Sequence, residues 1–304
     1  MKVVLLSGGG GGARFAAGLA DALAPGELDV VGNVGDDEAI LGLHVSPDLD
    51  GLLYALAGLV DLERGWGRAD ETWNALEAVS LWGGEDWFRL GDRDLGIHLV
   101  RTVELRNGQR LSEVTARFAE RAGIASRLVP ATDDRLRTRV VTDAGSFAFQ
   151  EWYVGRAHRD EVVAVEYVGA GNARPAPGVV DAIAGADAIL IAPSNPYLSI
   201  GPILAVAEIR EAIEERRVRC VAVSPLVGGA AVTGPLGRML SRMAGGVSST
   251  HVADRYEALL DVLVVAPEDA SEPAPVTLVA AETLMSDREA ARRLAESVLV
   301  AACA

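Results

Sequence analysis

A short strand-forming run at residues 2–7 breaks directly into five consecutive glycines, Gly8, Gly9, Gly10, Gly11 and Gly12, followed by Ala13 and Arg14. Phe15, Leu19 and Leu23 then recur at four-residue spacing, which predicts a helix over 12–23. A strand that feeds a helix through a glycine loop must cross over to a parallel neighbour, so the chain is committed early to an α/β sheet. Residues 29–33 read as a second buried strand, and the rhythm returns late in the chain. There, strands are expected at 188–192, 219–224, 263–265 and 276–279, and helices at 179–184, 202–216, 236–243, 251–260 and 287–302. Residues 139–142 and 147–154 read as a hairpin around Asp143-Ala144-Gly145, and 162–168 as a further strand. The expected architecture is a single Rossmann-like α/β domain over 1–304, its sheet mostly parallel with helices on both faces. Residues 57–125 carry four of the five tryptophans and read as a mainly helical insertion.

Charge narrows the range of partners. The chain has 43 acidic and 28 basic residues, a formal charge of −15, and Lys2 is its only lysine. Nucleic acid and anionic membrane surfaces select the opposite balance, so neither is an expected partner. A small phosphorylated ligand remains compatible if a few arginines or a divalent cation supply local positive charge. Cys220 and Cys303 are too few for a disulfide framework, and the N-terminal apolar run is too short for a signal peptide; a cytoplasmic protein is expected.

The glycine loop occupies the carboxyl end of the first strand, where ligands bind in open α/β sheets. Glycines let the backbone approach a phosphate, the helix behind them offers free N–H groups, and Arg14 adds a fixed charge. A Gly-Lys-Ser/Thr ending is absent, so this is not a P-loop. The Gly8-x-Gly10-x-x-Ala13 match to a dinucleotide fingerprint is nearly automatic in a five-glycine run. Two acidic clusters follow: Asn33-Val34-Gly35-Asp36-Asp37-Glu38, and His44 with Pro47-Asp48-Leu49-Asp50. Singly, Asp36 or Asp48 reads equally well as a helix N-cap. Together, near a phosphate loop, they suit a hard divalent cation that takes carboxylates, phosphate oxygens and water. A further polar set comprises Thr132-Asp133-Asp134-Arg135, Arg137, Phe149-Gln150-Glu151 and Ser194-Asn195. Turn chemistry accounts for these residues as well as ligand binding does. The tryptophans read as core or interface more readily than as cofactor stackers.

In this order the motifs resemble the 2-phospho-L-lactate transferase family of coenzyme F-420 biosynthesis, the CofD and FbiA type. The resemblance runs over essentially the whole chain. It adds Gly65-Trp66-Gly67, Asp70-Glu71-Thr72-Trp73, Trp87-Phe88-x-Leu90-Gly91-Asp92-x-Asp94 with His98, Trp152, Ser199-Ile200 and Ser224-Pro225-Leu226-Val227-Gly228-Gly229 to the sets above. It implies transfer of a phospholactyl or phosphoenolpyruvyl group from a guanosine diphosphate ester to the ribityl hydroxyl of the deazaflavin Fo, with release of GMP. It also implies a Mg²⁺ requirement and a homodimer. Carried over, the resemblance places the guanosine phosphates on Gly8–Ala13, with Ser194 and Asn195 near the nucleoside. Mg²⁺ falls to Asp37 and Asp50, with Asp36 and Asp48 as second choices, and one of these carboxylates is left to orient the Fo hydroxyl. Arg14, Arg135 and Arg137 meet donor phosphates or the acid's carboxylate, and Asn33 and Asp133 join the substrate set. The family usually carries Thr or Val where this chain has Gly10. Two other readings stay open: a nucleotide-sugar-binding regulator of the related gluconeogenesis-factor type, and an NAD-dependent oxidoreductase.

Overall fold

The computed structural model describes all of residues 1–304. Strand β1 (Val3–Ser7) leads through the glycine loop into α1 (Gly9–Ala22) and on to β2 (Leu28–Gly32). A hairpin, β3 (Glu38–Ile40) and β4 (Leu43–Val45), and helix α2 (Pro47–Leu56) follow, where two polar loops were expected. Leu41 and Gly42 at the hairpin tip both take positive φ, of 51° and 76°, and this closes a two-residue turn that the sequence signals only through Gly42. Helices α3 (Asn74–Leu81), α4 (Asp92–Arg106) and α5 (Leu111–Arg121) lie between α2 and β5 (Arg127–Pro130).

Strands β6 (Arg137–Thr142), β7 (Gly145–Ala148) and β8 (Val162–Val168) form a separate antiparallel sheet in the order β7-β6-β8. The return strand expected to reach residue 154 stops at Ala148, and Glu151–Gly155 is a π-helical turn. Phe149, Trp152 and Tyr153 are spaced three and four apart, a helical period that buries Trp152 completely and overrides strand propensity. Then come α6 (Val179–Ala184), β9 (Ala188–Ile191), a second π-helical turn (Pro196–Ile200), α7 (Gly201–Leu204) and α8 (Ala207–Glu214). The single helix expected over 202–216 is divided at Val206, whose backbone is extended. The remainder is β10 (Cys220–Val223), a small hairpin of β11 (Leu226–Val227) and β12 (Ala230–Ala231), α9 (Leu236–Met243), α10 (Ser249–Asp254), β13 (Val262–Val265), β14 (Thr277–Ala280) and α11 (Arg288–Cys303). The helix expected over 251–260 is α10 followed by a 3₁₀ turn at Glu257–Leu259.

The main sheet has seven strands in the order β14-β13-β10-β9-β1-β2-β5, and every pairing is parallel. Strands β1, β9, β10 and β13 are buried at every residue, as a sheet covered on both faces requires. From β1 the chain moves one way to β2, and from β9 it moves the other way to β10. The order therefore reverses between β1 and β9, and right-handed crossovers place the helices on opposite faces. The crevice beyond the carboxyl ends of these two strands is where such sheets bind ligands. Helix α1 lies between α2 and α11. Gly18 lets α11 approach closely, because a Cβ there would sit 2.4 Å from the Ala291 carbonyl. No helix is long and apolar enough to cross a membrane.

Candidate active site

The glycine run divides into positions of different kinds. A Cβ at Gly8 would lie 2.4 Å from Asp48 Oδ2, one at Gly11 2.8 Å from the Pro193 carbonyl, and one at Gly12 2.4 Å from Ser7 Oγ. Gly9 has a φ of +69°, a conformation side chains disfavour. At Gly10 a Cβ would meet nothing within 4 Å, so the family's usual Thr or Val fits there and this chain simply omits it. The helix begins at Gly9, three residues earlier than the periodicity indicates, so the glycines form its first turn. First-turn N–H groups have no acceptor within the helix. That of Gly9 is taken by Asp48 Oδ1 at 2.7 Å, and Gly10 and Gly11 behind it line the crevice.

A cavity of about 780 Å³ opens here. Its floor is Gly8–Gly11, Asp36, Pro47 and Asp48, with Arg14 at one side. The π-helical turn after β9 and its approach contribute Ser194, Asn195, Leu198 and Ser199. Phe149 and Tyr153, stacked at 5.2 Å, form one aromatic wall. Arg64, Trp66, Trp87, Phe88 and Arg89, from the segment between α2 and α4, line the cavity as well, with the Trp87 ring beside Gly155 at the end of the first π-helical turn. A second cavity of about 520 Å³ contains Asp37, Arg135, Arg137 and Arg139, and it shares Asp36 and Phe149 with the first. Asp36 thus stands between two spaces, one lined by the glycine loop and one by arginines.

Among the residues nominated from the sequence, Gly8–Gly11, Arg14, Asp36, Asp48, Ser194 and Asn195 line the main cavity. Gly12 and Ala13 are packed beneath the loop. Asn33 is fully buried as a bracket: its amide donates to Asp48 Oδ2 at 2.8 Å and its oxygen accepts from Gly35 N. Ser194 Oγ donates to the Gly8 carbonyl at 2.7 Å, and Asn195 Oδ1 accepts from the Tyr197 and Leu198 amides, capping the π-helical turn. Asp133 lies away from both cavities, accepting from Ser112 N and Oγ at the start of α5. Arg135 and Arg137 belong to the second cavity.

The aspartates separate into two layers. Asp37 Oδ2 is held by His44 Nε2 at 2.9 Å. Asp50, 4% exposed, is clamped by both terminal nitrogens of the buried Arg101. Neither lines the main cavity: of the first choices for a metal, Asp37 lines the second cavity and Asp50 lies beneath, while the second choices, Asp36 and Asp48, line the main cavity. Burial, and then the charges of Asp48 and Asp37, push the Asp36 carboxyl well above its ordinary range. Burial raises Asp48 to about 6, against the hydrogen bonds from Asn33 and Gly9. Oδ1 of Asp36 and Oδ1 of Asp37 are buried without a partner. Crowded carboxylates with orphaned oxygens are short of a cation, which fits Mg²⁺. No three His, Cys, Asp or Glu side chains converge to enclose a metal. Phosphate oxygens and water would have to complete the coordination, as Mg²⁺ sites commonly allow.

Sequence reasoning missed Arg64, Arg89 and Tyr153. Arg64 and Arg89 flank the Trp73 ring at 5.3 and 4.4 Å, and Arg89 makes no ion pair, so its charge is free for an anion. Four tryptophans in a polar stretch were the available signal. Trp66 is 49% exposed and Trp82 87%, so these two are not core.

Comparison with known proteins gives consistent matches. A family model described as 2-phospho-L-lactate transferase CofD matches residues 3–301. The phosphoenolpyruvate transferase of Streptomyces coelicolor is 42% identical, over 99% of this chain and 98% of its own. That of Thermobifida fusca is 43% identical, over 95% and 94%. A solved UPF0052-family protein from Bacillus halodurans superposes with a TM-score of 0.64 at 18% identity, covering 98% of this chain and 100% of its own; this likeness concerns the fold alone.

Proposed function

Because the chain belongs to the 2-phospho-L-lactate transferase CofD family, we propose that its two cavities bring a guanosine diphosphate ester of a three-carbon acid and the deazaflavin Fo together at Asp36. The observation that carries this reading is one cavity floor that joins the glycine loop to the buried carboxylates of Asp36 and Asp48, with Asp36 Oδ1 left without a partner. An acidic floor repels a diphosphate unless a cation lies between them.

The donor's diphosphate lies along Gly9–Gly11 and Arg14, where helix N–H groups favour anions. Its acid extends past Asp36 towards Arg135 and Arg137, suited to a carboxylate. Fo enters along the aromatic wall of Trp87, Phe88, Phe149 and Tyr153. Its terminal ribityl oxygen forms a bond to the phosphorus bearing the acid. The bond from that phosphorus to the bridging oxygen breaks, GMP leaves, and the hydroxyl proton passes to the carboxylate floor. The chain's contribution is alignment of the two partners and exclusion of water, which supply most of the rate in phosphoryl-type transfer. Asp36 and Asp48 are the residues that would hold Mg²⁺, which when bound neutralises diphosphate charge. The enolpyruvyl ester is the proposed donor, in line with the names of the Streptomyces and Thermobifida relatives. A homodimer would cover Leu99, Val100 and Val103, exposed along α4; light scattering at the mass of a single chain would exclude it.

The purified protein, incubated with Fo, Mg²⁺ and each donor separately, should release GMP and form a phosphoester of Fo, faster with the enolpyruvyl ester. Absence of phosphoester with both donors, together with unchanged Fo fluorescence on adding protein, would sink the reading. Preference for the lactyl ester would overturn only the choice of acid. Chelation of the metal should abolish turnover, and Asp48→Asn should weaken the response to Mg²⁺.

A further inference from the structure

Helix α4 turns an unusual face inward. Its buried residues are His98, Arg101 and Thr102, all polar, and with Asp94 they share one side of the helix at helical spacing. Each has a partner beneath the acidic floor. Arg101, 2% exposed, donates from Nη1 to Asp50 Oδ2 at 3.0 Å and from Nη2 to Asp50 Oδ1, and Nη1 also reaches the His44 carbonyl at 3.4 Å. Thr102 Oγ1 accepts from His44 N at 2.8 Å. His98, 1% exposed, lies between Asp50 and Asp94, with Nε2 3.2 Å from Asp94 Oδ2. Tyr54 Oη donates to the same Asp94.

A buried ion pair is weak as a source of stability, since a neutral pair of similar volume often serves as well. Its placement here has a different consequence. Asp50 is in the first turn of α2, two residues after Asp48, whose carboxylate faces the cavity. The His44 backbone is held by Arg101 and Thr102, and the His44 ring holds Asp37. One guanidinium therefore fixes the segments that carry Asp48 and Asp37. On the far side, Asp94 N donates to Glu71 Oε1 at 2.9 Å, which joins the same network to the segment bearing Trp87, Phe88 and Arg89.

We propose that Arg101 is a positioning residue that sets the acidic floor through Asp50 and His44, a role that rests on the transferase reading above. It touches neither substrate. Two variants test it. Asp50→Asn with Arg101→Gln replaces the ion pair by a neutral hydrogen-bonding pair. Arg101→Lys keeps the charge but cannot bridge both Asp50 oxygens and the His44 carbonyl. Both are expected to melt within a few degrees of the parent and to keep KM for Fo within about threefold. Their kcat should fall by about 10-fold or more, since small displacements of catalytic groups carry losses of that order. Mn²⁺ titrated in the presence of GDP and followed by electron paramagnetic resonance should bind more weakly to both. Parent-level kcat in either folded variant, or unchanged Mn²⁺ affinity in both, overturns the proposal. If the parent protein makes no phosphoester, the transferase reading fails first, and the Mn²⁺ comparison still decides whether Arg101 sets the floor.

Discussion

The floor of the cavity and its flap are built on opposite terms. Around Asp36 and Asp48 almost everything is buried: β1 is buried throughout, Asn33 is sealed, and Gly8 has no room for a methyl group. In the flap, residues 61–89, no residue is buried, although Trp66, Trp87, Phe88 and Arg89 all line the same cavity. The flap is held by caps and by a small cluster, Ile40, Val45 and Leu90, against which Trp87 and Phe88 pack. Asp92 accepts from Thr72 Oγ1 and the Asn74 and Ala75 amides, while Glu71 accepts from the Arg93 and Asp94 amides. A site that must hold crowded charges needs a rigid floor, because carboxylates that can drift apart lose their hold on a cation. A wall that admits and releases a large ring, as proposed, needs few contacts to break, and regions with little buried surface open at low cost.

If that contrast is right, the largest effect comes from the floor. Gly8→Ala forces a methyl group against Asp48 Oδ2 in an otherwise permitted backbone conformation. Turnover should drop by about 100-fold, the order expected when catalytic groups shift by an ångström. The melting temperature should change far less than turnover. Near-parent activity would show that the floor yields as easily as the flap.

The flap should answer differently. Arg89→Ala removes an unpaired guanidinium and should raise KM by about tenfold, the range for a charge-assisted hydrogen bond, with melting unchanged. A loss confined to kcat would move Arg89 from recognition into the floor's role.

The caps give a smaller effect with a pH signature. Hydrogen bonds from Thr72, Ala75 and Asn74 hold the Asp92 carboxyl down at about 2. A carboxyl depressed in the folded state contributes stability that is fully present above its ordinary value near 4. That contribution is lost as pH falls from there through about 2. Tryptophan fluorescence of the flap should therefore persist towards pH 2 in the parent. In Asp92→Ala it should already be altered at neutral pH, while far-ultraviolet circular dichroism stays intact. Loss of both signals together would mean that floor and flap unfold as one unit.

The smallest expected effect is at Gly10. Gly10→Thr should leave kcat/KM within about twofold, because a Cβ there meets nothing. A large loss would show that bound donor fills that space.

What the sequence revealed and concealed follows the same division. Glycine loop, parallel strands and acidic clusters were legible because strand runs, glycine turns and apolar periodicity are local signals. The partnership of Asp50 with Arg101 was not, because it joins residues far apart in the chain and a polar face at helical spacing reads as a solvated one. Which aspartates line the main cavity, Asp36 and Asp48, and that Asp50 lies behind it, was hidden with that pairing. Trp66 and Trp82 misled in the opposite direction, since large aromatic residues suggest a core and these two are exposed. Arg64 and Arg89 are ordinary arginines until Trp73 is seen between them.

The seat of α11 against Gly18 also bears on how the molecule forms. Strand β1 finds its neighbour β9 only after more than half the chain has been made, and α1 gains its outer support from residues near 291. The glycine loop is thus among the first segments synthesised and among the last to acquire its final surroundings. Contacts of such long range fold slowly, in milliseconds to seconds for proteins of comparable topology. Until α11 docks, the side of α1 at Gly18 lacks the neighbour it has in the folded protein.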